Sequence, residues 1–340
     1  MNWLLERLYG ARVARQTSDY LKQQSQASEA EARENVGRLL ESFARTAGPK
    51  VRLGETSWHV PVDVPLIELI KACGLLTGGM GSGKSMLALI VIAALLVSPD
   101  TIGFGVIDAK RELFLGALWL IEQRLDYLDR HDPLAAKALR RRLVIIDFSS
   151  RDPLSSYNLN ARPPGADPEF FALSRADLLM DLLEGDKLSL GGVGVLQRLL
   201  MLLSAFSLPI TRVSSVIRDT VLRRQLLSQV KDSSLIHYFA HHFEAVPKST
   251  LAAIERRIEA LTASESVRLA MNGTLAPDFR KLQDESRIVL INCFGENIAR
   301  SVCHLLHGLV ISDVRHGVFS RLQPDRLFLW TCDEAQNFFL

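Results

Sequence analysis

The chain is poor in cysteine, in any excess of one charge, and in long apolar runs. Its four cysteines, Cys73, Cys293, Cys303 and Cys332, include no CxxC pair. That excludes a disulfide-dense secreted scaffold, argues against a structural zinc site and fits a reducing compartment. Lysine and arginine number 40 against 38 acidic residues, a formal charge of +2. No overall basic field marks a nucleic-acid binder, so any such contact must lie in a local groove or channel. The longest apolar run, Met86 to Val97, has 12 residues, short of the roughly 20 that a spanning helix needs. Trp3, Leu4, Leu5 and Leu8 precede Arg12 and Arg15, but Asp19 opens a polar stretch before any apolar core develops, which argues against a cleaved signal peptide.

What remains is the composition of a chain that buries a core: 340 residues, 48% hydrophobic and 23% charged, enough for one large core plus an insertion. Residues 1–47 read as a helical arm, polar from Gln16 to Glu34 and apolar at Leu39, Leu40 and Phe43. Its first turns fit either a packing helix or one lying on a membrane surface, and Gly48-Pro49 ends it. Short, nearly continuous apolar runs follow at Lys71–Thr77, Thr101–Ile107, Leu143–Phe148, Ile288–Cys293 and Leu327–Cys332. Such runs predict strands covered on both faces, hence a mainly parallel sheet in an α/β protein. Between Phe148 and Arg287 the pattern is helical, as at Asp177–Leu183, Val195–Phe206 and Thr250–Leu261. The expected layout is an arm over 1–47, a core over 48–150, an inserted helical domain over 151–285, and a return to the core over 286–340.

After the first predicted strand come Gly78, Gly79, Met80, Gly81, Ser82, Gly83, Lys84 and Ser85, followed from Met86 by an apolar helix. The eight satisfy GxxxxGK[ST]. Glycines let successive N–H groups converge on phosphate oxygens, and the helix N-terminus adds a favourable dipole. In that reading Lys84 lies on the β- and γ-phosphates and the Ser85 hydroxyl is a ligand of Mg²⁺. The alternative is a glycine-rich turn that only joins two core elements.

The last predicted strand ends in Asp333-Glu334. Two adjacent carboxylates cannot be buried unpaired, so they must face the crevice at the strand's carboxyl end, where such sheets bind ligands. Asp333 would hold Mg²⁺ and Glu334 would polarise a water as general base. A third stretch, Asp108 to Leu113 with Lys110 and Glu112 within it, follows the second strand. On spacing alone it is a strand-to-helix turn with Asp108 as the cap.

Together these motifs resemble the HerA/FtsK superfamily of P-loop motor ATPases, and within it the TraD/TraG-like coupling proteins of conjugation and type IV secretion. The resemblance runs from about Trp58 to Leu340 and includes Phe239 through Lys248 to Leu261 and the closing Asp333 to Phe338. It implies a RecA-like P-loop core that uses ATP and Mg²⁺. It also implies a homo-hexamer translocating DNA, with a relaxase or secretion-channel proteins as partners, in the cytoplasm or peripheral at the inner membrane. The family's transmembrane helices have no counterpart in this sequence. The strand that follows Walker B in the superfamily has none either, since Leu340 comes six residues after Glu334. The expectation is therefore an incomplete motor. The alternatives are a secretion or pilus-assembly ATPase acting on protein, or an inactive nucleotide-binding remnant.

Other polar clusters read more plainly. His237, His241 and His242, like His304 and His307, are expected in surface or packing roles. Arg140-Arg141-Arg142 reads as a solvated helix end. Arg223-Arg224 and Arg256-Arg257 are either exposed charge or phosphate contacts.

Overall fold

In the computed structural model the described residues are 30–31, 33–71, 83–99, 101–153, 156–180 and 189–334. They fall into two compact units divided between Leu76 and Thr77. Apart from Lys71, the predicted first strand Lys71–Thr77 lies outside the described residues, as do Gly78, Gly79, Met80, Gly81 and Ser82.

The first unit holds helix α1 over residues 33–45, strands β1 (Lys50–Glu55) and β2 (Pro61–Pro65), and helix α2 (Leu66–Lys71). The strands form an antiparallel hairpin with Val51 opposite Val64 and Arg52 opposite Asp63. Arg52 and Asp63 make a two-pronged ion pair at 2.5 and 2.9 Å. Lys71, read from sequence as the start of a strand, is instead the last residue of α2.

The second unit is built on a four-stranded sheet. Helix α3 (Lys84–Val97) leads to β3 (Gly103–Asp108), α4 (Glu112–His131), α5 (Pro133–Arg142) and β4 (Leu143–Asp147). A helical stretch follows: α6 (Pro168–Met180), α7 (Leu190–Ala205), α8 (Val213–Arg218), α9 (Thr220–Leu227), α10 (Ser233–His241), α11 (Lys248–Leu261), α12 (Glu265–Met271) and α13 (Phe279–Asp284). The chain then returns as β5 (Ile288–Asn292), α14 (Arg300–Phe319) and β6 (Phe328–Cys332). The strand order is β4-β5-β3-β6 and every pair is parallel, so the class is mixed α/β. Every residue of β3 and β5 is buried, which is why their sequences run apolar without alternation. Among the described strands β6 lies at one end of the order, and all five of its residues are half-buried. Between Phe148 and Arg287 the described residues contain no strand. Helix starts carry local signals: Asp132, Ser189, Asp219, Asp232 and Asp278 each accept a backbone N–H in the first turn of α5, α7, α9, α10 and α13.

Two glycines set how closely β6 lies on β3. A Cβ on Gly105 would come 2.1 Å from the Trp330 ring, and one on Gly103 2.6 Å from the Phe328 ring. The absent side chains make room for this aromatic pair, whose centroids are 5.2 Å apart. Phe279 of α13 meets Trp330 edge-on at 5.9 Å.

The helical stretch is not packed separately from the sheet. One apolar cluster runs from Ile107, Ile146 and Ile291 of the strands through Leu199, Leu203 and Ile254 to Leu306 and Val310 of α14. A buried charged knot reinforces the join, as Asp313 of α14 accepts from the Arg175 guanidinium and the Tyr157 hydroxyl. At the opposite edge of the sheet Arg142 donates to the carbonyls of Ser286 at 2.9 Å and Ile102 at 2.6 Å, tying together the starts of β4, β5 and β3. The solvated-end reading therefore holds for Arg140, which pairs with Asp129, but not for Arg142. Its guanidinium satisfies carbonyls where three strands begin. Gly105→Ala should lower stability by about 1–3 kcal/mol through overpacking, read as a lower urea midpoint with an unchanged m-value.

Candidate functional site

The carboxyl ends of the strands form a polar row. Asp147 of β4 is in register with Asn292 of β5, and Asn292 with Asp108 of β3. The Asp333 N–H donates to the Ile107 carbonyl at 2.9 Å, so Asp333 follows β6 at the same level. The Asn292 amide donates to Asp147 at 2.8 Å and to the Phe294 carbonyl at 2.9 Å. Asp147 also accepts the Ser149 N–H and hydroxyl at 2.9 and 2.7 Å. Asp147 and Asn292 were not singled out from sequence. Their signal is the one that drew attention to Asp333, a polar residue closing an apolar strand.

Asp108 is fully buried and accepts the N–H groups of Lys110 and Phe114, each at 2.7 Å. It braces the turn into α4, in which Arg111 adopts φ 75°, and so acts as the cap its spacing suggests. That turn aims Lys110 across the sheet, where its ammonium is ion-paired with the Glu334 carboxylate. Glu334 holds φ 54°, an uncommon conformation for a residue with a side chain. The neighbouring Asp333 is half-buried. Desolvation first, then the charges of Asp108 and Glu334, push its carboxyl above the usual range, and Lys110 works the other way. The hydrogen bond that the Lys110 ammonium donates to the Glu334 carboxylate in turn holds the ammonium above its usual value. Asp108, Asp333 and Glu334 thus bring three carboxylates to the ends of two adjacent strands, with Asp108 committed to backbone N–H groups and Glu334 paired with Lys110.

The helix start belongs to the same edge. Gly83 precedes α3 at φ 85°, ψ 12°, and the first turn carries neither a side-chain cap nor an acidic residue. Lys84 is half-buried, and Ser85 and Met86 are exposed. Only residues 98–102 connect α3 to the amino end of β3, a reach of at most about 18 Å against a helix about 21 Å long. The carboxyl end of α3 is thereby held near the start of β3. Leu89, early in α3, packs on Gly116, early in α4, where a Cβ would lie 2.8 Å from it. Because α4 starts from the carboxyl end of β3, the amino end of α3 faces the edge that carries Lys110, Asp333 and Glu334. An uncapped N-terminus with its lysine, beside a carboxylate cluster, suits a polyphosphate with a divalent cation.

Beneath this edge His307 of α14 is fully buried, with Nε2 3.3 Å from Cys332 Sγ. Burial raises the Cys332 thiol to about 12 and lowers His307 to about 4. The packing role expected of His307 fits this position. His237, His241 and His242 are exposed, with rings 4.6 and 5.5 Å apart. Two candidate phosphate contacts are corrected: Arg223 is 4% exposed and Arg257 0%. Arg223 donates to the carbonyls of Val216 and Ile217 and pairs with Glu244, and Arg257 donates to the Ala253 carbonyl. Their guanidiniums are taken up in helix packing, whereas Arg224 is exposed.

Among the described residues no group of three or more His, Cys, Asp or Glu side chains is arranged to enclose a metal ion, and none of their helices is singly long and apolar enough to cross a membrane. No family model matches the chain, and no curated protein matches it.

His307 gives the site a pH signature. Its folded value of about 4 lies below the ordinary 6.5, so the folded state binds fewer protons. The stability it contributes is complete above about pH 6.5 and is lost as pH falls through about 4, up to about 3 kcal/mol. Urea titrations between pH 7 and 4 should show that slope, and His307→Gln should flatten it relative to the parent.

Proposed function

We propose that the chain is a P-loop ATPase of the HerA/FtsK kind, a coupling ATPase that turns ATP hydrolysis into movement of DNA. The observation that carries this reading is the GxxxxGK[ST] stretch, whose Lys84 opens α3, together with the Asp333-Glu334 pair that follows β6. Lys84 and the first-turn N–H groups of α3 bind the β- and γ-phosphates, with Gly78, Gly79, Met80, Gly81, Ser82, Gly83 and Met86 completing the loop around them. Ser85 and Asp333 would hold Mg²⁺, and the raised carboxyl of Asp333 among like charges fits that role. The ion would supply charge neutralisation and a fixed phosphate orientation. Glu334 orients the attacking water and accepts its proton.

The DNA cargo and the homo-hexamer rest on the resemblance. Burial of Arg223 and Arg257 removes two of the arginines the insertion offers to a phosphate backbone, leaving Arg224 and Arg256 of those pairs. That observation gives weight to the second reading, an ATPase that moves protein. Lys84→Ala should abolish ATP hydrolysis, at least a hundredfold in kcat, and weaken nucleotide binding while far-UV circular dichroism is unchanged. An equal hydrolysis rate in wild type and variant would reject the ATPase reading. Stimulation by single- or double-stranded DNA selects the DNA motor, and its absence selects the protein-cargo reading.

A further inference from the structure

The ion pair between Lys110 and Glu334 joins residues 224 positions apart, and it engages the carboxylate that the proposed reaction needs as a base. A carboxylate oxygen that accepts from an ammonium is less basic and less free to orient a water. Yet the pair is poorly protected, with the Lys110 side chain 56% exposed and Glu334 24% exposed, and ion pairs open to solvent are weak. Lys110 itself is well placed: Asp108 fixes its N–H at 2.7 Å, and the same carboxylate anchors the start of α4. A rigid turn therefore presents a flexible cation between three carboxylates and the sheet edge faced by the amino end of α3. A terminal phosphate carries more charge and more acceptor oxygens than one carboxylate.

We propose that Lys110 is a positioning residue that reports the occupant of the phosphate site: without nucleotide its ammonium restrains Glu334, and a bound triphosphate competes for that ammonium and releases the carboxylate. This inference rests on the phosphate-site reading above. It differs from simple charge repulsion because it requires Glu334 and the triphosphate to be rivals for one lysine.

A double-mutant cycle on affinity tests this without relying on turnover. Calorimetric titration with a non-hydrolysable ATP analogue and Mg²⁺ would compare wild type, Glu334→Gln, Lys110→Met and the double variant. Glu334→Gln should tighten binding about three- to tenfold when Lys110 is present and less than twofold when it is Met, because the gain comes from freeing the ammonium. Lys110→Met alone should weaken binding. Equal tightening in both backgrounds would reduce Glu334 to a repulsive charge and overturn the inference while leaving the phosphate site intact. If wild type and all three variants bind no nucleotide, the phosphate-site reading fails and this inference with it. Because Lys110 is exposed, the Met variant should fold, which near-UV circular dichroism of each protein checks directly.

Discussion

The parallel pairing of β3 with β6 is the interaction on which the candidate site depends. It sets Ile107 opposite Cys332, and so brings the Asp108 turn level with Asp333 and Glu334. The pairing is possible at this closeness because β3 offers glycine at positions 103 and 105, where Phe328 and Trp330 lie against it. A side chain at either glycine would push the strand that carries the acidic pair away from the strand that carries Lys110. Packing in the sheet interior thereby decides which charges meet at its rim.

Those charges are unequal. Asp108, Asp333 and Glu334 contribute three carboxylates. Asp108 is committed to two backbone N–H groups, and Lys110 answers Glu334. Asp333 is left with a carboxyl raised by burial and by its neighbours, the electrostatic state that a divalent cation would relieve. Below this rim burial keeps Cys332 and His307 uncharged. The Arg175, Tyr157 and Asp313 knot fixes α14, which carries His307, to the helical stretch, so that stretch and the rim share one rigid support.

Much of the sheet was legible in the sequence because buried parallel strands leave an unambiguous mark. The runs at Leu143, Ile288 and Leu327 match β4, β5 and β6 to within a residue at each end. The run at Thr101 is displaced, since β3 begins at Gly103 and extends to Asp108. Asp108 can close a buried strand because its carboxylate is satisfied locally by backbone N–H groups. The β1–β2 hairpin left no comparable signal: its residues are largely half-buried or exposed, and a bulge between Arg52 and Gly54 breaks the alternation. The acidic pair and Lys110 were each visible as residues, but their meeting was not. Spacing along a chain says nothing about which strand ends become neighbours across 224 residues. Arg223 and Arg257 were misjudged for a related reason. A guanidinium in a basic doublet reads as exposed, whereas here both side chains are buried, the Arg223 head donating to two carbonyls and pairing with Glu244 and the Arg257 head donating to the Ala253 carbonyl.

The central claim is that the glycine-rich stretch ahead of α3 and the acidic turn after β6 grip one ligand. Hydrogen–deuterium exchange, with and without a non-hydrolysable ATP analogue and Mg²⁺, tests this most directly. The account predicts slowed exchange in peptides covering both residues 78–86 and Asp333-Glu334 at the same ligand concentration. Protection confined to one of these segments, or absent from both, would contradict it.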